Sequence, residues 1–137
     1  MTRIVLLDNE AVQALRDPAH RKHRRVIREV LVTGVRTVRA TPIQVAVPTA
    51  VRVEAGWDRT AAAWAFINRL GIVDVPLDIS HTDVAAGIAK RTGVSVADAH
   101  LGAAIQAAEV DQVTVITSDP ADMRKVAEGR QVNVVAL

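Results

Sequence analysis

Asp8, Glu54, Asp98 and Asp119 are the residues of this chain best placed to do chemistry. Asp8 directly follows the apolar run at residues 4–7, and Asp119 follows a second run at residues 113–116 by way of Thr117 and Ser118. Glu54 lies in PTAVRVEAGW, which opens at Pro48 after the run at residues 45–47, and Asp98 lies near the start of SVADAHLGAAI. Carboxylates drawn into one place repel one another, and their pKa values rise unless positive charge intervenes. With no cysteine, and no histidine pair at a helical ligand spacing, the expected charge is Mg²⁺ or Mn²⁺ rather than zinc. One or two such ions activate water and stabilise the departing oxygen of a phosphodiester. The chemistry implied is metal-assisted hydrolysis with no covalent nucleophile.

Three of these acids have an alternative as helix caps. Asp8 stands where a helix would follow its strand, and Asp119 precedes Pro120, an N-cap followed by proline at the first helical position. SVAD is a capping-box pattern in which Asp98 supports the Ser95 cap. Glu54 lacks that alternative: it sits on an apolar-rich helix, and a glutamate on a buried face needs a partner. Arg52 is a poor partner, because two residues along a helix point in different directions.

The elements that must position these acids follow from the hydrophobic pattern. Apolar runs at residues 4–7, 45–47, 72–75, 113–116 and 132–136 predict strands buried on both faces. Between them, spacings of three and four predict helices: Val26, Ile27, Val30 and Leu31; Val51, Val53 and Ala55; Trp64, Ile67 and Leu70; Ala85 with Ile88; Leu101, Ile105 and Ala108. Alternating strand and helix implies an α/β sandwich around a mainly parallel sheet, whose ligands bind beyond the carboxyl ends of the strands. Those ends are where the acids recur.

The chain of 137 residues makes one domain, 1–137, with no repeat or linker. Half of the residues are apolar and only 2% aromatic, so the core is aliphatic and an aromatic base-stacking platform is not expected. Trp57, Trp64 and Phe66 read as core or interface residues. The absence of cysteine excludes disulfides, zinc-thiolate sites and thiol nucleophiles and fits a reducing compartment. Asp8 interrupts the opening apolar run before a signal peptide can form, and no run is long enough to span a membrane, so a soluble cytoplasmic protein is expected.

The net charge of +2 is unevenly spread: residues 1–56 carry ten Lys or Arg against five Asp or Glu, which suggests a polyanionic partner. In HRKHRRVIR an inward apolar stripe would leave Arg21, Lys22, Arg24, Arg25 and Arg28 open to the phosphates of a polyanion. A solvated helix face and contact with an acidic or apolar protein segment are the alternatives. Arg52 and Arg91 are further candidates for phosphate or protein contact. The histidines His20, His23, His81 and His100 read as surface or packing residues, and His100, two residues after Asp98, should point away from it.

The ordered set LLDNEAV, PTAVRVEAGW, SVADAHLGAAI and VITSDPADM resembles the PIN-domain family, especially its small bacterial toxins of the VapC type, over nearly the whole chain. The resemblance implies a PIN-like three-layer α/β/α sandwich. It places Asp8, Glu54, Asp98 and Asp119 on the family's acidic metal-binding quartet, and Thr117 on a polar position that helps to orient the last aspartate. It further implies Mg²⁺- or Mn²⁺-dependent cleavage of RNA, a homodimer, and inhibition by a small cognate antitoxin. Asp122 is a supporting acid, with a first-turn helix role as its alternative. Glu10 departs from the small polar residue of many relatives; it is either an outer-sphere ligand or a first-turn acid favoured by the helix dipole. On this reading Asp8→Asn abolishes metal-dependent cleavage and leaves the fold intact.

Two other classes compete. A receiver domain needs an aspartate ending a central strand and a lysine after a later one, which QVAVPTA and VITSDPAD do not supply. An aspartate-nucleophile phosphatase wants a second aspartate where Glu10 stands. A PIN-like module that binds RNA or protein without cleavage would have no use for a negative cluster in its cleft.

Overall fold

The computed structural model describes residues 2–36 and 43–137. Its strands are β1 (Arg3–Leu7), β2 (Ile43–Pro48), β3 (Val73–Val75), β4 (Gln112–Thr117) and β5 (Asn133–Ala136). Its helices are α1 (Asn9–Arg16), α2 (His23–Arg36), α3 (Thr49–Ala55), α4 (Ala65–Asn68), α5 (Ile79–Thr92), α6 (Val96–Ala107) and α7 (Pro120–Ala127). All five expected strands are present. They pair in the order β3-β2-β1-β4-β5, and every pairing is parallel.

Parallel strands require crossovers, and right-handed crossovers fix which face each helix covers. The chain steps outward from β1 to β3, which lays α1 to α4 on one face. It then returns to β4 and steps the opposite way, which lays α5 to α7 on the other. The result is a three-layer α/β/α sandwich whose direction reverses between β1 and β4, the usual place for a ligand crevice in such sheets.

Burial follows from that topology. The central strand β1 is covered on both sides, so Ile4, Val5, Leu6 and Leu7 are all buried. Trp57 and Trp64 are also buried and their rings stack at 6.1 Å, whereas Phe66 is partly exposed and packs on His23 at 5.5 Å. Two helical expectations need correction. Val51 is buried but Val53 is 82% exposed, because residues two apart on α3 diverge. The stretch from Trp64 to Leu70 forms no long helix: a turn of 3-10 helix, Ala62–Trp64, runs into the four-residue α4. The side chain of Leu31, the last member of the α2 stripe, lies outside the described residues.

Helix α6 is the pillar of the second layer, with every residue from Ala99 to Ile105 buried. Its carbonyl end is closed by a distant side chain: Arg130 Nη1 donates to the carbonyls of Ile105 (2.5 Å) and Ala108 (2.7 Å), and Nη2 to Val110 (3.0 Å). Ile105 is in the last turn, whose carbonyls the helix itself leaves without donors, and Ala108 and Val110 follow just beyond the helix end. At Gly102 a β-carbon would lie 2.8 Å from Ile88 Cδ1 on α5, and 2.8 Å from both the Cβ and the carbonyl oxygen of Val126 on α7. Alanine would gain about 1 kcal/mol in helix propensity, but the carbonyl cannot rotate away and overpacking costs about 1–3 kcal/mol. Gly102→Ala is therefore expected to lower the urea midpoint of unfolding, and an unchanged or raised midpoint would contradict this packing.

Candidate active site

The acids gather at the carboxyl edge of the sheet, where β1, β2 and β4 end. Asp8 caps α1 immediately after β1. Its Oδ1 accepts the Ala11 N–H (2.9 Å) and its Oδ2 accepts the Ser118 N–H (3.1 Å) from the loop after β4. The Thr117 hydroxyl donates to the same carboxylate and accepts the Asp119 N–H (2.9 Å). Thr117 thus orients Asp8 directly and the Asp119 backbone as well. Burial raises the pKa of Asp8 above the ordinary carboxylate value, against the pull of these hydrogen bonds, and the charge of Glu10 adds to the rise.

Asp98 occupies the first turn of α6, where the Ser95 hydroxyl accepts its N–H (3.1 Å), as the capping pattern predicts. Its own carboxylate is half-buried and its pKa is pushed up to about 6, first by burial and then by the charges of Glu54, Asp122 and Asp8. Three acids, from α3, α7 and the end of β1, therefore act on Asp98. Asp122 is one of them, a closer participant than its place beside a helix start suggested. Asp119 is exposed, and its Oδ1 accepts the Asp122 N–H (3.2 Å) as the cap of α7. Glu54 is exposed, so the expectation of a buried glutamate does not hold: α3 turns that position to the mouth of the site. There it lines a cavity of about 420 Å³ with Thr49, Val53, Leu77, Val96 and Ala97.

The donors suit a hard divalent cation in chemistry, being carboxylate oxygens whose mutual repulsion such an ion would relieve. Among the described residues, no three acidic or imidazole side chains already converge closely enough to hold one ion.

The basic residues divide. Arg24, Arg25 and Arg28 on α2 are exposed. Lys22 Nζ and His20 Nε2 instead face Glu10 Oε1 at 3.4 and 3.5 Å, giving that acid a local ion-pair role beside Asp8. Arg52, a candidate for RNA or antitoxin contact, is held by local partners. Its Nη1 donates to Asp74 Oδ2 (3.0 Å) and its Nη2 to the Trp57 carbonyl (3.1 Å), because Arg52 and Arg59 both close around Asp74. Arg91 pairs with Glu128 at 2.8 Å. Of the histidines, His23 donates to the Ala14 carbonyl (2.8 Å) and His100 is fully buried.

The fold and its site define a class: an α/β PIN-like sandwich with carboxylates at its switch point. The chain is similar to VapBC2 from Rickettsia felis, solved bound to a DNA fragment from its promoter, with a TM-score of 0.58, 9% identity, and coverage of 96% of this chain and 98% of that one. It is also similar to FitAcB from Neisseria gonorrhoeae, with a TM-score of 0.51, 19% identity and 96% of each chain covered. At such identities the likeness shows the fold. No family model and no curated protein matches the chain. Among the described residues no helix is long and apolar enough to cross a membrane.

Proposed function

We propose that this chain is a Mg²⁺- or Mn²⁺-dependent endoribonuclease, the toxin of a toxin–antitoxin pair. The observation that carries the reading is the gathering of carboxylates at the switch point: burial and the charges of Glu54, Asp122 and Asp8 push the pKa of Asp98 up to about 6. A protein does not hold such a cluster cheaply unless a cation completes it.

Asp8, Asp98 and Glu54 would hold the ion, with Asp122 and Asp119 at its rim. The bound ion supplies a Lewis acid that activates water and stabilises the leaving oxygen. The chain itself fixes Asp8 through the Ala11 and Ser118 amides and the Thr117 hydroxyl, so one ligand is oriented before any ion arrives. Arg24, Arg25 and Arg28 would meet backbone phosphates, and their contribution would fall as salt rises. The apolar side chains Val53, Ile79 and Val96, 82%, 85% and 66% exposed, would meet protein, either a small antitoxin or a second copy in a homodimer.

A second reading, a PIN-like module that binds without cutting, draws on the cap roles of Asp8 and Asp119. The deciding experiment incubates purified, antitoxin-free protein with a mixed RNA pool, with Mg²⁺ or Mn²⁺ and with chelator. Discrete cuts that need the metal are expected. Intact RNA throughout, from protein that is folded and binds RNA, would establish the second reading instead.

A further inference from the structure

The start of α3 lacks a cap of its own. Its N-cap residue is Pro48, which has no side-chain acceptor, and the hydroxyl of Thr49 is already engaged by the Leu77 N–H (3.0 Å). The amide at the second helical position, Ala50, is normally satisfied by the N-cap side chain. Here it donates to Nδ1 of His100, 3.2 Å away and fifty residues on in sequence. His100 is fully buried on α6; its Nδ1 accepts the Ala50 N–H, and the Pro76 carbonyl is the backbone group that acts on the ring besides.

The two helices joined by this bond are the ones that carry Glu54 and Asp98. Glu54 lies one turn beyond Ala50 on α3, and Asp98 lies two residues before His100 on α6. Arg52 ties α3 to Asp74 on β3 and Thr49 ties it to the Leu77 amide, while Val51 is its one buried side chain and Val53 and Glu54 face outward. The bond from Ala50 to His100 ties this seven-residue helix directly to α6.

We propose that His100 is a positioning residue: by capping α3 from α6 it fixes the separation of Glu54 from Asp98 and so sets the affinity of the acidic site for a divalent cation. This rests on the reading of those acids as a metal site. The ring performs the task as a neutral acceptor, with its proton on Nε2, and the Nδ1 lone pair is the only feature the task requires. Asparagine can present an oxygen where Nδ1 lies, whereas leucine fills similar space with no acceptor.

The test measures Mn²⁺ binding to the wild type, His100→Leu and His100→Asn from the free-ion signal in electron paramagnetic resonance, beside amide exchange at Ala50. His100→Leu is expected to weaken Mn²⁺ binding about tenfold, the scale on which supporting partners of ligands act, and to speed exchange at Ala50. His100→Asn is expected to restore both towards wild type. Tight Mn²⁺ binding by a folded His100→Leu protein would overturn the inference alone. Failure of the wild type to bind Mn²⁺ would overturn the metal reading and the inference with it. Weak binding by both variants would assign the loss to packing and also overturn it.

Discussion

Asp98→Asn should make the protein more stable at pH 7.5 while removing its activity. In the folded chain this carboxyl titrates near 6, against an ordinary value of 3.8. A raised folded-state pKa means that the folded protein binds the proton more tightly than the unfolded chain. Its stabilising contribution is present below about pH 4 and is lost as pH rises through about 6. Above that the wild type carries a charge it would sooner not hold, at a cost of roughly 1–2 kcal/mol once solvent screening of a half-buried group is allowed for. Asparagine never acquires the charge. The melting temperature of the variant should therefore exceed that of the wild type by a few degrees at pH 7.5, with the gap closing towards pH 4. Adding Mn²⁺ should raise the wild-type midpoint and leave the variant nearly unmoved. RNA cleavage should drop about a hundredfold or more, the scale on which transition-state electrostatics act. A variant that melts lower at pH 7.5 and still cuts RNA would contradict both halves of the argument.

Asp8→Asn should fail differently. Both oxygens of Asp8 accept backbone amides, Ala11 at 2.9 Å and Ser118 at 3.1 Å, and an asparagine offers only one acceptor oxygen. Whichever way the amide is turned, an N–H would face an N–H, which costs about 1–3 kcal/mol. The expectation of an intact fold on this substitution thus gives way to a destabilised one, because Asp8 joins β1 to the loop after β4 as well as standing in the site. Denaturant unfolding should show an earlier midpoint together with loss of cleavage. If stability is unchanged, the two amides have found other acceptors and the joining role is wrong. Asp98→Asn is therefore the cleaner probe of chemistry, and Asp8→Asn the cleaner probe of architecture.

The contrast between these two acids shows what the sequence could and could not convey. Strands buried on both faces leave unbroken apolar runs, so residues 4–7 and 113–116 announced the centre of the sheet, and SVAD announced the cap that Ser95 forms. The fold-level placement of Asp8, Glu54 and Asp98 at one edge followed from parallel order alone. What the sequence hid were relations set by helix direction and loop closure. Arg52 and Arg59 converge on Asp74 only because β3 returns beside β2. The influence of Asp122 on Asp98 depends on how α7 leaves β4. His100 looked like packing because it points away from Asp98, and so it does; its target is the unprotected start of α3. The missing acceptor at Pro48 was the one available clue, since every helix start must find acceptors or donors somewhere.

The bond from Asp8 to Ser118 spans 110 residues, and the Asp8 amide also donates to the Ile116 carbonyl at 3.2 Å. During synthesis Asp8 can cap α1 as soon as Ala11 has followed, but neither of these two contacts can form until β4 has been made. The acids at positions 8, 54, 98 and 122 come together only when most of the chain has been made. A chain built this way cannot assemble its acidic site piecemeal: the topology withholds it until translation is almost finished.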